Sequence, residues 1–219
     1  MNIEQDLKEL QVLELSDKPN YLIFKRLLDI LLTSLAMIVV IPISLIISIL
    51  IRLDSKGPVI YKQKRLGQNG KLFTIYKFRT MVCNAEEVMK NFTPEQKEEF
   101  EKHFKLKNDP RITKMGNFLR KTSLDEMPQL INILKGDMSI IGPRPVVENE
   151  IEKYGFFKNK YLSIKPGLTG WWACNGRSST TYNERISLEI YYIDNISLKL
   201  DIKCFFKTIL SIIKKDGAM

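Results

Sequence analysis

The chain holds one histidine, His103, and three scattered cysteines, Cys83, Cys174 and Cys204. One histidine cannot build a histidine metal cluster. It also argues against a Ser-His or Cys-His nucleophile, because His103 lies in a charged run and reads as a surface residue. An odd cysteine count without a C-x-x-C pair excludes a thiolate zinc site and a disulfide framework, and points to a reducing compartment. There are no internal repeats and no P-loop or G-x-G-x-x-G spacing. Glycine and proline, at 11 and 9 residues, are too few for a collagen-like or low-complexity chain. The remaining composition, 44% hydrophobic and 27% charged, is that of a folded protein of one domain or two small ones. Its chemistry must come from carboxylates, lysine, arginine, tyrosine, amides or a bound metal.

Positive charge is in surplus. Lysine and arginine number 34 against 25 acidic residues, a net +9. Such a balance suits phosphates, nucleic acid or an acidic membrane face. From Ile30 to Ile51 there are 22 consecutive uncharged residues, ILLTSLAMIVVIPISLIISILI. As a helix they extend roughly 33 Å, close to the roughly 30 Å of a hydrocarbon core. The run starts too late, is too long and lacks the small-residue cleavage site of a signal peptide. Lys25 and Arg26 precede it; Arg52, Lys56, Lys62, Lys64 and Arg65 follow it. With both flanks basic, the positive-inside rule sets no orientation for a crossing. Pro42 lies near the middle, removes a backbone donor and kinks or breaks a helix there. Asp29 stands at the entrance, where Arg26 or a headgroup would pair with it. Two readings stay open, a spanning helix with a kink and a re-entrant hairpin.

Residues 1–19 form a polar tail in which Ile3, Leu7 and Leu10 share a short helical face. Val59–Lys64 and Leu72–Phe78 read as strands joined by Gly67-Gln68-Asn69-Gly70, a hairpin. Residues 84–107 read as a solvated helix pair around Pro94. Helices are expected over Lys114–Arg120, Leu124–Leu134, Tyr182–Tyr192 and Ile196–Lys215. In the last, Leu198, Ile202, Phe205, Phe206, Ile209 and Ile213 lie on one side beside Lys199, Lys203 and Lys207, which suits either a membrane interface or a core. GDMSIIGPRP (136–145) and KPGLTGWWACNGR (165–177) read as loops.

Four constellations carry possible chemistry. Ser123-Leu124-Asp125-Glu126 reads most simply as a capping box. The same pair of carboxylates at a helix start also suits a division of labour, one attacking an electrophile and one holding a divalent cation. Gly142-Pro143-Arg144-Pro145 stiffens the presentation of one guanidinium, which matches phosphate oxygens or forms a rigid turn. Pro166 to Trp171 and Asn175-Gly176-Arg177 offer close backbone approach, a Trp171 or Trp172 stacking face and a further arginine. Tyr76-Lys77-Phe78-Arg79-Thr80-Met81 places alternating cations on a strand, a solvated face or a phosphate wall. Together they describe a basic, carboxylate-bearing site near a membrane, suited to Mg2+-assisted phosphoryl chemistry.

With these residues in place the chain resembles the monotopic phosphoglycosyl transferases, the bacterial sugar transferase family that starts glycan assembly on polyprenol phosphate. The likeness runs from about Phe24 to Lys215 through KRLLDI (25–30), Pro42, YKFRTM (76–81), SLDEMPQLINILKGDMSIIGPRP (123–145), KPGLTGW (165–171) and NGR (175–177). It looks like the small catalytic form. The resemblance implies that Asp125 is a nucleophile forming a covalent phosphosugar intermediate and that Glu126 helps place Mg2+. Lys77, Arg79, Arg120, Arg144, Thr169 and Arg177 are the expected substrate-binding set. Asp29 and Pro42 match positions that hold and break a re-entrant helix. Two departures stand out. Ile41 occupies a position that is often serine in relatives, and Ala173 one that is often glutamine.

The resulting expectation is a mainly helical α+β protein. Residues 1–19 form a tail, 20–53 a membrane helix-break-helix, and 54–219 a catalytic domain with a short hairpin and interfacial amphipathic helices. It would transfer a phosphosugar from a UDP-sugar to undecaprenyl phosphate on the cytoplasmic face of the bacterial inner membrane, held also by anionic lipid. A membrane-anchored scaffold without activity is the alternative. Nucleic-acid binding does not explain the apolar run.

Overall fold

The computed structural model describes residues 18–103, 106, 108–176 and 180–214. The polar segment 1–17 and Arg177 lie outside the described residues. The chain is mostly helical, with two small strand pairs. Helix α1, Pro19–Asp54, leads into a hairpin of β1 (Ile60–Leu66) and β2 (Leu72–Phe78). Next come α2 (Ala85–Lys90), α3 (Pro94–His103), α4 (Lys114–Thr122) and α5 (Leu130–Lys135). Then follow β3 (Ser139–Ile141), α6 (Glu148–Ile151), α7 (Lys158–Leu162), β4 (Gly167–Thr169), α8 (Tyr182–Asp194) and α9 (Leu198–Lys214).

Helix α1 runs unbroken through Pro42, so the expected two helices are one. It is long and apolar enough to cross or enter a membrane. Its fastening explains its path. Asp29, Thr33, Ile47 and Ile51 are buried, and Ala36, Met37 and Val40 pack on a core cluster. These positions recur at helical spacing and form one stripe. Leu27, Leu31, Leu35, Ile38, Leu45, Ile49 and Leu53 are exposed on the other side. At the start of α1, Lys18 Nζ donates to the Ile196 carbonyl at 3.1 Å and Lys25 meets Asp201 at 2.7 Å. At its end, Asp54 accepts from the Met115 N–H at 3.0 Å. Both ends and the middle therefore attach to the same body. Asp29 does not form the expected pair with Arg26: it accepts the Ile140 N–H at 2.9 Å. Arg26 donates instead to the Ile133 and Leu134 carbonyls at 2.6 and 2.8 Å, in the last turn of α5.

The hairpin pairs Ile60 with Phe78 through Leu66 with Leu72, with Asn69 and Gly70 in the left-handed region at its turn. Phe73, Ile75 and Lys77 share one face of β2 because strand side chains alternate. The expected single helix over Leu124–Leu134 is a 3-10 turn, Leu124–Gln129, followed by α5. Pro128 removes a backbone donor there, and Ser123, with φ 56°, turns the chain between α4 and the acidic pair. The two segments read as loops instead supply β3 and β4, a parallel pair joining Ser139 to Gly167 and Ile141 to Thr169. A side chain on Gly170 would sit 2.0 Å from the Gly142 carbonyl oxygen, so only glycine allows this approach. The largest core cluster gathers Tyr154, Tyr161, Tyr192, Ile193 and Cys204 beneath β3 and between α8 and α9.

Candidate active site

Asn132, fully buried, holds the acidic turn against β2. Its side-chain oxygen accepts the Tyr76 N–H at 3.2 Å and its amide donates to the Thr74 carbonyl at 2.7 Å. This substitutes for a strand neighbour and sets Lys77 opposite the turn. Lys77 Nζ lies 2.7 Å from Glu126 Oε1. The expected capping box at Ser123 is absent, because Ser123 makes no side-chain cap and Glu126 reaches across to β2. A capping box forms instead at Thr181 and Glu184. The left-handed serine costs on the order of 1–3 kcal/mol, strain of a kind that collects at functional sites.

Asp125 is the acid of this turn next to Glu126. Burial pushes its carboxyl up, the Glu126 charge adds to that, and Lys77 and Arg120 oppose it. Arg120 is itself held by Thr80, its Nε donating to the hydroxyl at 2.9 Å. The turn borders a cleft of about 350 Å³. Glu126, Lys77 and Gln129 line one wall, Arg65 and Arg144 another, and Thr169 to Ala173 a third.

The strand pair sets Arg144 and Thr169 side by side. Gly142 N–H donates to the Thr169 carbonyl and Gly167 N–H to the Pro143 carbonyl, both at 2.8 Å. The Arg144 N–H donates to buried Glu189 at 3.0 Å, and the Tyr161 hydroxyl donates to the Arg144 carbonyl. The Arg144 backbone is thus fixed while its side chain is exposed. Burial pushes the Glu189 carboxyl up, against the nearby Arg185. Thr169 shares a 2.9 Å hydrogen bond with Thr208 of α9.

Not every expected residue lines the cleft: Lys77, Glu126, Arg144 and Thr169 do, whereas Asp125 and Arg120 are not among its lining residues. Arg79 is buried and its guanidinium is used at the end of α1. It donates to the carbonyls of Lys56 at 2.6 Å and Ser55 at 2.7 Å and to the Ser55 hydroxyl at 3.0 Å. Arg79 is a fastening of the long helix rather than part of a phosphate wall. Both tryptophans line the cleft with cations already close to their rings. Trp172 has Arg144 and Arg185 at 5.7 and 4.9 Å from its ring centre. Trp171 has Lys203 and Lys207 at 5.3 and 4.9 Å and Tyr191 at 5.5 Å. Among the cleft residues not singled out from sequence are Arg65, Gln129, Glu189 and Thr208. Gln129 was within reach, since it sits inside the DEMPQ run. Its buried amide nitrogen has no hydrogen-bond partner among the described residues.

A bacterial sugar transferase family model matches residues 20–215, nearly the whole chain. The chain belongs to that family. It is 46% identical over 197 residues to an undecaprenyl-phosphate galactose phosphotransferase of Salmonella typhimurium, covering 89% of this chain and 41% of that protein. It is 42% identical over 199 residues to the exopolysaccharide production protein ExoY of Sinorhizobium fredii, covering 90% of this chain and 88% of ExoY. It is 39% identical over 196 residues to a UDP-glucose:undecaprenyl-phosphate glucose-1-phosphate transferase of Escherichia coli, covering 85% of this chain and 39% of that protein. The chain thus spans about two fifths of the length of the first and third and most of ExoY. The Mg2+ implied by the sequence resemblance would have to be held by this chain's own residues. Among the described residues no three potential ligands cluster. Two adjacent carboxylates whose repulsion raises Asp125 fit a cation held partly by protein and partly by substrate phosphates, the usual manner of Mg2+.

Proposed function

We propose that this protein transfers a phosphosugar from a UDP-sugar to undecaprenyl phosphate and releases UMP, an early membrane step in surface-glycan or exopolysaccharide assembly. The observation carrying this reading is the half-buried Asp125 beside the Lys77–Glu126 pair, on a turn that borders a cleft presenting Arg144. The Asp125 carboxylate attacks the sugar-bearing phosphorus, the bond to the UMP oxygen breaks, and a phosphosugar is left on Asp125. An oxygen of undecaprenyl phosphate then attacks the same phosphorus and frees Asp125. The order has a physical reason: direct attack would bring two anions together, whereas here UMP is gone before the lipid phosphate arrives. Lys77 and Arg120 hold Asp125 ionised against its burial. Arg144 and Arg65 neutralise phosphate oxygens, acting where charge develops. Glu126 would hold Mg2+, which when bound supplies further charge neutralisation for the diphosphate.

We read the membrane arrangement in the same way. The exposed face of α1 meets lipid while its inner stripe stays on the catalytic body. At roughly 54 Å for 36 residues, α1 is longer than a bilayer core of about 30 Å. A perpendicular crossing would drag the attached body into hydrocarbon, so the helix enters the membrane and both ends stay on the cytoplasmic face.

The test is UMP release by purified protein in detergent, with Mg2+, undecaprenyl phosphate and a panel of UDP-sugars. Release with one sugar, dependent on the lipid phosphate and lost in Asp125→Asn, supports the reaction. Unchanged release in Asp125→Asn removes Asp125 as nucleophile. No release with any sugar from folded protein favours a scaffold.

A further inference from the structure

Two of the three cysteines lie in one part of the core. Cys174 is in the turn after Trp171 and packs against the core cluster that holds Cys204 of α9. Both belong to the largest core cluster, Cys204 fully buried and Cys174 partly open to solvent. The surroundings hold them in register. The Cys174 N–H donates to the Gly170 carbonyl at 3.1 Å and its thiol to the Trp171 carbonyl at 3.5 Å. Lys207, one turn beyond Cys204, donates to Asn175 Oδ1 at 2.5 Å. Lys203 and Lys207 also stand over the Trp171 ring. The neighbouring Cys204 thiol pulls the Cys174 thiol down, as do the two lysines, with burial opposing. The same contact and burial push the Cys204 thiol up. An accessible sulfur inclined to ionise thus faces a buried sulfur that keeps its proton, the arrangement of an oxidation-sensing cysteine and its resolving partner.

We propose that Cys174 and Cys204 form a peroxide-oxidisable dithiol that closes a disulfide between the Trp171–Asn175 turn and α9. The Cys174 thiolate attacks a peroxide oxygen, the O–O bond breaks and hydroxide leaves, so sulfur is oxidised to sulfenic acid as the peroxide is reduced. The Cys204 sulfur then attacks the Cys174 sulfur. The S–O bond breaks, and the leaving hydroxide takes the Cys204 proton as water. The bond staples the segment leading towards residue 177 onto α9. A cytosolic thiol reductant reopens it.

The test uses the full chain in detergent, treated with hydrogen peroxide, alkylated with N-ethylmaleimide, digested and weighed by mass spectrometry. The expected product links the Cys174 and Cys204 peptides with loss of two hydrogens, is reversed by dithiothreitol and leaves Cys83 unlinked. Recovery of both peptides alkylated, or linkage of Cys174 to Cys83, overturns the proposal. In Cys204→Ala, Cys174 has no resolving partner and advances to sulfinic acid. A Cys174 product identical to that of the unsubstituted chain overturns the proposal as well. The readout is a mass, so it is independent of whether the transfer reaction is read correctly.

Discussion

Lys77 Nζ sits 2.7 Å from Glu126 Oε1, joining the second hairpin strand to the acidic turn across 49 residues of sequence. The same cation holds Asp125 down against burial and the Glu126 charge. Lys77→Met removes that opposition. A charge-assisted hydrogen bond is worth about 1.5–3 kcal/mol, so kcat/KM is expected to fall roughly 10- to 100-fold. The pH profile gives the sharper reading. Because folding raises the Asp125 carboxyl from its ordinary value, its ionised form is lost at a higher pH than for a free aspartate. Lys77→Met moves this acid limb higher still. An unmoved limb separates Lys77 from Asp125.

Asp125→Asn is expected to raise stability while abolishing transfer. Folding lifts the carboxyl above its ordinary value of 3.8, so the folded chain holds the proton more tightly than the unfolded one. The stability linked to this group is full below 3.8 and declines as pH rises through the raised folded value. At neutral pH the ionised group costs stability, and asparagine removes that cost. Thermal unfolding of both proteins at pH 8 and pH 4 checks this. The variant's advantage should be present at pH 8 and shrink at pH 4.

Arg79 separates the two meanings of a basic residue on a strand. Its forked contacts with Ser55 and Lys56 require a guanidinium. Arg79→Lys is expected to lose about 2–3 kcal/mol of stability with the KM for the donor unchanged in the folded fraction. A raised donor KM at full stability would return Arg79 to the phosphate wall.

These cases show what the sequence made legible. The apolar segment of α1, the hairpin and α8 follow from an apolar run, a Gly-Gln-Asn-Gly turn and helical spacing, all local signals. The acidic pair and the GPRP arginine were visible as types of residue. Their surroundings were not, because they depend on distant partners. Alternation along YKFRTM shows Lys77 and Arg79 alike, yet Lys77 meets Glu126 while Arg79 meets the end of α1. Ser123 to Glu126 has the spacing of a capping box, but the left-handed serine sends Glu126 to Lys77. Strands β3 and β4 span three residues each, too short for any periodicity to declare them.

The attachment of α1 at both ends gives a labelling prediction. Asn20→Cys and Lys56→Cys, placed separately in inverted and right-side-out vesicles, are expected to react with an impermeant maleimide from the same face. Reaction from opposite faces would establish a spanning helix and require that one set of contacts, at Ile196 and Asp201 or at Met115, be broken in the membrane.

Asp29 links the membrane helix to the cleft most directly. It is 5% exposed, and its carboxylate accepts the Ile140 N–H at 2.9 Å. Ile140 lies in β3, whose end carries the Gly142–Pro145 loop and Arg144. Asp29→Ala leaves that buried N–H without its partner, at a cost of about 1–3 kcal/mol. The outer apolar face of α1 is untouched, so the protein should still sediment with membranes. Transfer should fall, because β3 is no longer fixed to α1. Asp29→Asn keeps an oxygen that accepts the same hydrogen bond and should retain most activity. Membrane fractionation with the UMP assay on all three proteins checks the argument. If Asn fails as badly as Ala, the charge and not the acceptor matters at this position. If Ala retains full activity, the helix and the cleft are not coupled through Asp29.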